Sequence, residues 1–559
     1  MKKHYEKILF DTDQRILRSL DIQILDPNAG LHYGGFRDCK GLVEPKFAIY
    51  RTTTMIAGLF NENSHYYENV TIYERVLLGL KYISHSQRDN GFFDLINCNF
   101  YSSPDTAFCL KRLIPIYQYL TVTFLETDGK DNLRDYAATI SSIIKDILYR
   151  GATAMITGGF HTPNHRWAIA SVLLTCSQLF NEASFADHAM LYLNEGIDSS
   201  EDGEYAERSA GNYNRICNDA MIMIASATGD DSYLEYATRN LYMMLNYIEP
   251  DGSIFTNNST RQDRGEKVYP KDYYMEYLYL GYLLNNETFL QAANKIMDYV
   301  TMHNLTAMDC LIHFMNLPQL ITFEYESSNM PDSYHKYFRE SSLVRIRNGE
   351  YSCSIVNQSS SFLYFTHGDL TMGMKIGGSF CEHRAFIPEQ LVQKPDCYEL
   401  TQTMIGWYYL PFGKDVGTSD WWKMDHSQRE KIYGPNLNFN VSIKEVKDGF
   451  DVHIKVDGID RAPLRIELSF DEGTIISSDS FTIYGNGGGS LIAKEGTITA
   501  SKGRYAISAG TAFGNHNFSD GKFGSESKNP NCFTVYFTDY TCFEHVIELR
   551  ALPSNMDYR

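Results

Sequence analysis

The chain has 559 residues, of which 43% are hydrophobic and 21% charged, a composition typical of a globular protein with several domains. Its formal net charge of −19 excludes nucleic acid as an expected partner, and a polyanionic ligand would need a local basic patch. The eleven cysteines are dispersed, the N-terminus has no apolar signal segment, and no apolar run is long enough to span a bilayer. These features predict a cytoplasmic protein that has no membrane partner.

The first 330 residues predict one helix after another. Apolar residues recur at spacings of three and four, and short stretches of Gly, Asn, Asp or Pro separate the segments. The longest such segments are 71–87, 104–127, 132–152, 165–180, 214–229, 231–248 and 289–304. The pattern predicts a helical domain built from hairpins over residues 1–330.

The pattern changes near residue 340. Apolar and polar residues alternate in segments 341–378, 438–470 and 487–510, and the pairs Asp448-Gly449 and Asp457-Gly458 are typical of hairpin turns. Short strands with frequent turns predict an antiparallel β-sandwich over residues 331–559. The segment 318–340, which contains two prolines, is the predicted linker.

Several well-known site motifs are missing from the sequence. The Gly-rich stretch 485–490 lacks the lysine of a phosphate-binding loop, and neither an HExxH zinc motif nor a GxSxG nucleophile motif occurs. We therefore expect a protein that requires no cofactor. A structural divalent metal held by His and Asp residues of the β region stays open, although no ligand spacing indicates it.

A first group of polar residues leads into the helix predicted at 165–180. His161, Asn164, His165 and Arg166 precede its apolar run, and Pro163 fits a helix start. In one interpretation Asn164 only caps the helix, and its two neighbours are surface residues of the first turn. In the other interpretation these donors and the imidazole line a binding site.

A second group lies in the acidic, Tyr-containing loop before the helix predicted at 214–229. It contains Tyr205, Glu207, Arg208 and Tyr213. One interpretation is a solvated loop with Asn212 as the helix cap, and the other is a functional loop.

A third group lies in the predicted β region. His367 ends a predicted strand, and His383 and Arg384 follow 16 and 17 residues later. A lone histidine is more often a packing residue, but two histidines near turns favour a site. Arg261, in the loop 257–265, is a further candidate for a cleft.

The order of these residues resembles the heparinase II/III-type polysaccharide lyases, a group that includes alginate and oligoalginate lyases. The matching residues are Pro163-Asn164-His165-Arg166-Trp167, then Asp202-Gly203 with Glu207, Ser209 and Tyr213, then His367-Gly368-Asp369. The resemblance implies an N-terminal (α/α) toroid followed by an antiparallel β-sandwich. It also implies a lyase that cleaves acidic, uronic-acid-containing oligosaccharides or polysaccharides by β-elimination.

The resemblance further implies a role for each candidate residue. Asn164 would offset the charge of the substrate carboxylate, and Tyr213 would transfer protons as the acid and also as the base. His165 or His367 would take the remaining catalytic role. The expected substrate-binding residues are Arg166, Tyr205, Glu207, Arg208, Arg261, His383 and Arg384.

Two other functions fit the same architecture. A glycoside hydrolase would use two facing carboxylates, drawn from Asp105, Glu204, Glu207, Asp219 and Asp263. A non-catalytic glycan-binding protein would bind an oligosaccharide without turning it over. The oligomeric state does not follow from the sequence.

Overall fold

The structure is a computed structural model that describes residues 1–124, 131–324, 332–517 and 525–553. The chain divides into two compact units, one of Met1–Tyr247 and Ile254–Met330, the other of Ile248–Ser253 and Pro331–Arg559. The domain boundary predicted between residues 330 and 331 lies outside the described residues, as does part of the predicted linker. No helix in the described ranges is long and apolar enough to cross a membrane.

The first unit is helical, apart from one short ribbon of the strands β1 (Phe93–Leu95) and β2 (Asn99–Ser102). Its helices are α1 (Lys2–Ile22), α2 (Pro45–Phe60), α3 (Val70–Ser86), α4 (Ser103–Gln118), α5 (Asp131–Met155), α6 (Pro163–Phe180), α7 (Ala183–Leu193), α8 (Tyr213–Thr228), α9 (Ser232–Leu245), α10 (Tyr274–Leu283), α11 (Glu287–Met302), α12 (Leu311–Asn316) and α13 (Gln319–Thr322). All seven helices predicted from the sequence are present. The predicted helix 104–127 ends earlier, at Gln118, and continues as a short π-helix over Tyr119–Thr123.

The helices form an inner and an outer row. The helices α2, α4, α6, α8 and α10 pack side by side in that order, and each also packs against the helix that follows it in the chain. The helix α12 packs against α1, α2 and α4. Because each outer helix returns the chain, the inner helices run in the same direction and their amino ends meet at one end. This arrangement is the (α/α) toroid that the resemblance implies.

Burial distinguishes the two rows. The inner helix α6 buries an almost continuous run from Trp167 to Cys176, because α4, α7 and α8 surround it. The outer helix α5 buries one stripe instead, including Ile140, Ile144 and Ile147. The spacing of apolar residues by three and four positions therefore indicates the outer helices most clearly.

The second unit consists of strands. They are β3 (Ser333–Phe338), β4 (Leu343–Asn348), β5 (Tyr351–Val356), β6 (Ser361–His367), β7 (Leu370–Phe380), β8 (His383–Ala385), β9 (Gln390–Gln393), β10 (Tyr398–Met404), β11 (Trp407–Tyr409), β12 (Lys431–Tyr433), β13 (Leu437–Val446), β14 (Gly449–Gly458), β15 (Pro463–Asp471), β16 (Ile475–Ser478), β17 (Phe481–Tyr484), β18 (Ser490–Ile492), β19 (Ile498–Lys502), β20 (Tyr505–Gly510), β21 (Cys532–Tyr540) and β22 (Phe543–Leu552). One sheet has the order β17-β16-β19-β20-β22-β14-β13-β10-β9. The other has the order β18-β21-β15-β7-β6-β5-β4-β3, with β8 beside β7.

The two sheets share one apolar core, as expected for the predicted sandwich. Alternate residues of β13, such as Phe439 and Val441, join alternate residues of β15, such as Ile466 and Leu468. The pairing is antiparallel except between β18 and β21. At the predicted turn between β13 and β14, Asp448 adopts a left-handed φ of 58°, a conformation that Asp tolerates better than most residues.

The segment between α9 and α10 supplies a buried ion pair to the second unit. Glu249 accepts a hydrogen bond from Arg345 of β4 at 2.8 Å and another from the hydroxyl of Ser352. Arg345 is fully buried, and Glu249 is nearly so. Residues 248–253 are therefore held to the sheet by polar contacts in addition to packing.

Candidate active site at the amino ends of the inner helices

Side chains from three inner helices meet where these helices begin. Lys46 of α2 lies over the ring of Phe108 of α4, with its Nζ 5.0 Å from the ring centre. The same ring meets the imidazole of His165 of α6 edge-on at 6.0 Å. Lys46 and Arg261 both act electrostatically on His165. The amino ends of α2, α4 and α6 thus form one half-buried cluster, to which Arg261 adds a second cation.

Tyr213 is the first residue of α8, and three contacts hold it. Its backbone N–H donates to the hydroxyl of Ser209 at 3.1 Å, and its own hydroxyl donates to Oε1 of Gln262 at 3.3 Å. The guanidinium of Arg261 lies over the phenol ring, 5.2 Å from its centre. The hydroxyl stays near solvent, so the geometry combines a fixed phenol with an adjacent cation.

Asp263 joins the two loops that carry these residues. Its Oδ1 accepts hydrogen bonds from the hydroxyls of Ser209 at 2.8 Å and Ser259 at 2.6 Å, and its Oδ2 accepts one from the N–H of Gly211 at 2.8 Å. A Cβ at Gly211 would come within 2.8 Å of the same Oδ2, so glycine is needed for this approach. Asp263 therefore fixes the loop before α8 to the loop that contains Arg261 and Gln262.

Glu207 connects Asn164 with Arg261. Its Oε2 accepts hydrogen bonds from the backbone N–H of Asn164 at 3.1 Å and from its Nδ2 at 2.5 Å, while its Oε1 lies 3.4 Å from Nε of Arg261. The second amide hydrogen of Asn164 goes to the hydroxyl of Thr162 at 3.0 Å. Glu207 thus positions both side chains from a nearly fully buried location.

This geometry corrects the role that the resemblance implies for Asn164. The side chain is fully buried, and both of its amide hydrogens already have acceptors within the protein. It offers no free N–H to a substrate carboxylate. Nor is Asn164 the helix cap, because Thr162 occupies that position and Pro163 begins the helix. Asn164 is a positioning residue in this arrangement.

His165 is half-buried, and its Nδ1 accepts a hydrogen bond from the N–H of His161 at 3.3 Å. Burial lowers the pKa of His165 to about 4, although the charge of Asp105 acts in the opposite direction. The imidazole is therefore neutral at pH 7 and a weaker base than an exposed histidine, because burial disfavours its charged form.

Three other residues of the helical unit were predicted to bind substrate, and each has its own surroundings in the structure. Arg166 pairs with Asp198 and stacks on the ring of Trp167 at 4.4 Å. Tyr205 is buried, and its hydroxyl donates to Asn218 at 3.1 Å. Both contacts are structural, which corrects the expectation that these two side chains bind substrate. Arg208 is half-buried and makes no hydrogen bond or salt bridge through its side chain to other residues that the structure describes.

The predicted residues of the β region do not form one cluster. His367 precedes β7, and His383 and Arg384 follow it, at the opposite end of an eleven-residue strand. At about 3.4 Å per residue, the strand separates them by more than about 30 Å. His367 is buried, and its ring bonds the carbonyl of Ala506 at 2.9 Å, which is a packing role. The expectation of a joint site of the two histidines is therefore wrong.

The structure adds site residues that the sequence analysis missed. Lys46, Phe108 and Gln262 were not among its candidates. Lys46 is the second residue of α2, which begins at Pro45. In the same way His165 is the third residue of α6, which begins at Pro163. A comparison of the helix starts would have indicated it. In the described part of the chain no group of three or more His, Cys, Asp or Glu side chains is placed to hold a metal ion.

Comparisons with known proteins concern the fold. No family model matches the sequence, and no curated protein matches it. A chondroitin AC lyase from Streptomyces coelicolor A3, solved with chondroitin sulphate, superimposes with a TM-score of 0.52 at 10% identity, over 99% of this chain and 80% of that chain. A Paenibacillus xanthan lyase gives a TM-score of 0.56 at 11% identity, over 99% of this chain and 57% of that chain. A chondroitinase AC lyase solved in complexes with oligosaccharides gives 0.52 at 10% identity, over 99% and 83%. The chain has the toroid-plus-sandwich fold of these polysaccharide lyases.

Proposed function

We propose that this protein cleaves acidic, uronic-acid-containing oligosaccharides or polysaccharides by β-elimination. The observation that carries the proposal is the phenol of Tyr213, held at the start of α8 under the guanidinium of Arg261. The fold shared with polysaccharide lyases supports it.

β-Elimination of a uronate requires three tasks. The negative charge of the substrate carboxylate must be offset, a base must remove the proton on C5, and an acid must protonate the leaving oxygen on C4. Arg261 suits the first task, because 29% of its side chain stays exposed beside the phenol. It takes the role that the sequence analysis gave to Asn164, and Lys46 adds a second positive charge to the cluster.

Tyr213 is the proposed proton-transfer group. In its deprotonated form the phenol oxygen accepts the C5 proton, and it then returns that proton to the leaving oxygen. The neutral imidazole of His165, whose Nδ1 accepts the N–H of His161, keeps an Nε2–H that can donate to the substrate at the start of the neighbouring helix. Glu207 and Asp263 act indirectly, since one positions Arg261 and the other fixes the loops.

The carboxylates available for a hydrolase argue against that alternative. Asp263 and Glu207 hold loop and helix groups, as described above. Glu204 is buried and accepts hydrogen bonds from Tyr247 at 2.8 Å and Asn214 at 3.1 Å. Asp105 accepts from the hydroxyl of Ser102, and Asp219 pairs with Lys111 at 2.6 Å. A glycoside hydrolase needs two carboxyl groups that face the sugar, whereas these five have partners within the protein.

The test is ultraviolet absorbance during incubation with a panel of uronate oligosaccharides. Elimination creates a conjugated unsaturated uronate that absorbs, and hydrolysis does not. We expect a rise that is lost in Tyr213→Phe, because this change removes the transferable proton and keeps the ring. The matched control is Tyr149→Phe, at an exposed position on α5. New reducing ends without a rise in absorbance, or full activity of Tyr213→Phe, would contradict the proposal.

A further inference from the structure

An extension of the second unit carries an unusual concentration of aromatic side chains. The strands β11 and β12 pair only with each other, outside both large sheets, and residues 410–430 connect them. We call residues 407–433 the aromatic arm. Three of the four tryptophans of the chain lie in it, namely Trp407, Trp421 and Trp422.

The large rings of the arm are exposed. Trp422 is 91% exposed, Tyr433 69%, Tyr408 61% and Trp421 55%. Leaving apolar surface in water costs roughly 25 cal/mol per Å², so a cluster of this kind is typical of a binding surface. The fourth tryptophan, Trp167, is buried in the helical unit.

One face of the ribbon combines rings with a cation. Trp407 pairs across the ribbon with Tyr433, and Tyr409 with Lys431, so the four side chains share a face. The rings of Trp407 and Tyr409 lie 5.1 Å apart. Nζ of Lys431 lies 3.9 Å from the centre of the Trp407 ring and 5.4 Å from that of Tyr433.

The connecting segment continues the same pattern. The guanidinium of Arg429 lies 5.4 Å from the ring centre of Tyr409 and 6.0 Å from that of Phe412. The ring of Phe412 lies 5.9 Å from that of His426, which in turn lies 4.0 Å from Trp421. Aromatic rings and cations therefore follow each other from Tyr433 to Trp421.

The two cations of this strip are not neutralised by nearby acids of the described chain. Lys431 forms no salt bridge with any described residue, and the guanidinium of Arg429 donates to the backbone carbonyls of Leu410 and Tyr409. Among the acids around the arm, Glu382 accepts from Trp407 Nε1, Asp420 pairs with Lys423, and Asp425 accepts from Ser427 and Gln428. The arm as a whole has four cations and four carboxylates, and the two cations that lie on its rings form no salt bridge with a described residue.

We infer that the aromatic arm of the second unit binds an acidic glycan chain. The rings stack on the C–H faces of the sugar rings, and Lys431 and Arg429 pair with carboxylate or sulfate groups. Stacked rings alone would suit a neutral glycan as well, whereas two cations without a salt bridge to a described residue favour an acidic one. The inference rests on the proposed function for the class of substrate only.

The test measures binding without cleavage. The full-length Tyr213→Phe chain is run through native gels that contain chondroitin sulfate, alginate or polygalacturonate, with dextran as the neutral polysaccharide. Trp407→Ala and Lys431→Gln are compared in the same background. The matched controls are Tyr484→Ala, at a tyrosine that is 75% exposed on β17, and Lys447→Gln, at an exposed lysine.

We expect at least one acidic polysaccharide to retard the chain and dextran to leave it unaffected. Each arm variant should raise the dissociation constant by about tenfold, since a desolvated cation–π contact or charge pair contributes that order of affinity. The two control variants should bind as their parent does. Lys431→Gln, a surface change, keeps the test valid where Trp407→Ala disturbs the ribbon.

Three results would overturn the inference. These are full retardation of the arm variants, a lack of retardation by every acidic polysaccharide, and equal retardation by dextran. A loss of mass from dimer to monomer in light scattering, with retardation unchanged, would identify the arm as a self-association surface instead. Arm-dependent retardation without any unsaturated product would leave this inference standing and refute the proposed function. Formation of unsaturated product by the parent chain, with no effect of the arm variants on retardation, would support the proposed function and refute this inference.

Discussion

Replacing the carboxylate of Glu207 by an amide tests the structural core of the candidate site. In Glu207→Gln the side chain keeps its size but loses its charge. One of its oxygens accepts two hydrogen bonds from Asn164, and the other faces Arg261. A glutamine that turns its oxygen toward Asn164 directs its NH₂ group at the guanidinium, and a glutamine in the opposite orientation directs NH₂ at two buried donors. Neither orientation satisfies all partners.

The magnitude follows from the burial of each contact. A hydrogen bond to a charged group contributes about 1.5–3 kcal/mol and a neutral one about 0.5–1.5 kcal/mol, so two weakened bonds cost about 2–3 kcal/mol. The pair with Arg261 adds at most about 1 kcal/mol, because 29% of that side chain is exposed to water. We expect the free energy of unfolding of the helical unit to fall by about 2–4 kcal/mol, and the proposed lyase activity to fall with it.

Denaturant unfolding monitored by tryptophan fluorescence measures this loss. Trp167 is the only tryptophan of the helical unit, so replacing the three tryptophans of the aromatic arm by Phe leaves a reporter beside the site. Glu287→Gln, at an exposed position in the first turn of α11, is the matched control, and we expect it to change stability by less than about 0.5 kcal/mol. Equal stabilities of Glu207→Gln and the parent chain would refute the reasoning. A double-mutant cycle with Asn164→Ala should give a coupling energy above about 0.5 kcal/mol.

Two further predictions concern buried ionisable groups, one in each unit. Burial, followed by the charge of Asp219, raises the pKa of Glu276 from 4.5 to about 8, so between these pH values the folded chain holds a proton that the unfolded chain has lost. The melting temperature of the parent should therefore fall, relative to that of Glu276→Gln, as the pH rises from 5 to 8, and a constant difference between the two would contradict the assignment. In the second unit, Arg345→Met leaves the carboxylate of Glu249 buried without its cation and should destabilise the sandwich by about 3–5 kcal/mol in denaturant unfolding. Recovery of stability in the double variant Arg345→Met/Glu249→Leu would support the reason given, and an unchanged midpoint of Arg345→Met would refute it.

The helices that the sequence predicts are those with one polar face. The outer helix α11, for example, buries Phe289, Ile296 and Val300 on one side, and its spacing shows this. The inner helix α2 buries most of its length, and α10 reads as a nearly continuous run of Tyr and Leu. Neither presents a regular polar face, so periodicity gave no prediction for them. The strands of the sandwich were easier to predict, because β13 alternates buried and partly exposed residues along most of its length.

Some residues of the candidate site could be named from the sequence, but their contacts could not. Polar residues before α6 and α8 indicated the two helix starts that meet in the structure. The partner of Asn164 lies 43 residues away, in another loop, and local sequence does not encode such a contact. The contacts of Asp263 could not be predicted for the same reason, because its hydrogen bonds to the Ser209 hydroxyl and the Gly211 N–H join two different loops. Donor and acceptor types therefore indicated a site, while the choice between binding substrate and positioning a neighbour depended on the tertiary structure.

The net charge of −19 is compatible with the proposed acidic substrate because electrostatic attraction is local. At an ionic strength of about 0.1 M the Debye length is about 10 Å, so exposed acids farther than that from a bound sugar are largely screened. Arg261 and Lys46 act at the helix starts, and Lys431 and Arg429 act on the aromatic arm, each within contact distance of an aromatic ring. A ring beside a cation excludes water from one side of it, which strengthens its attraction for a carboxylate. In both places the sequence-wide charge therefore matters less than the immediate neighbours of these four cations.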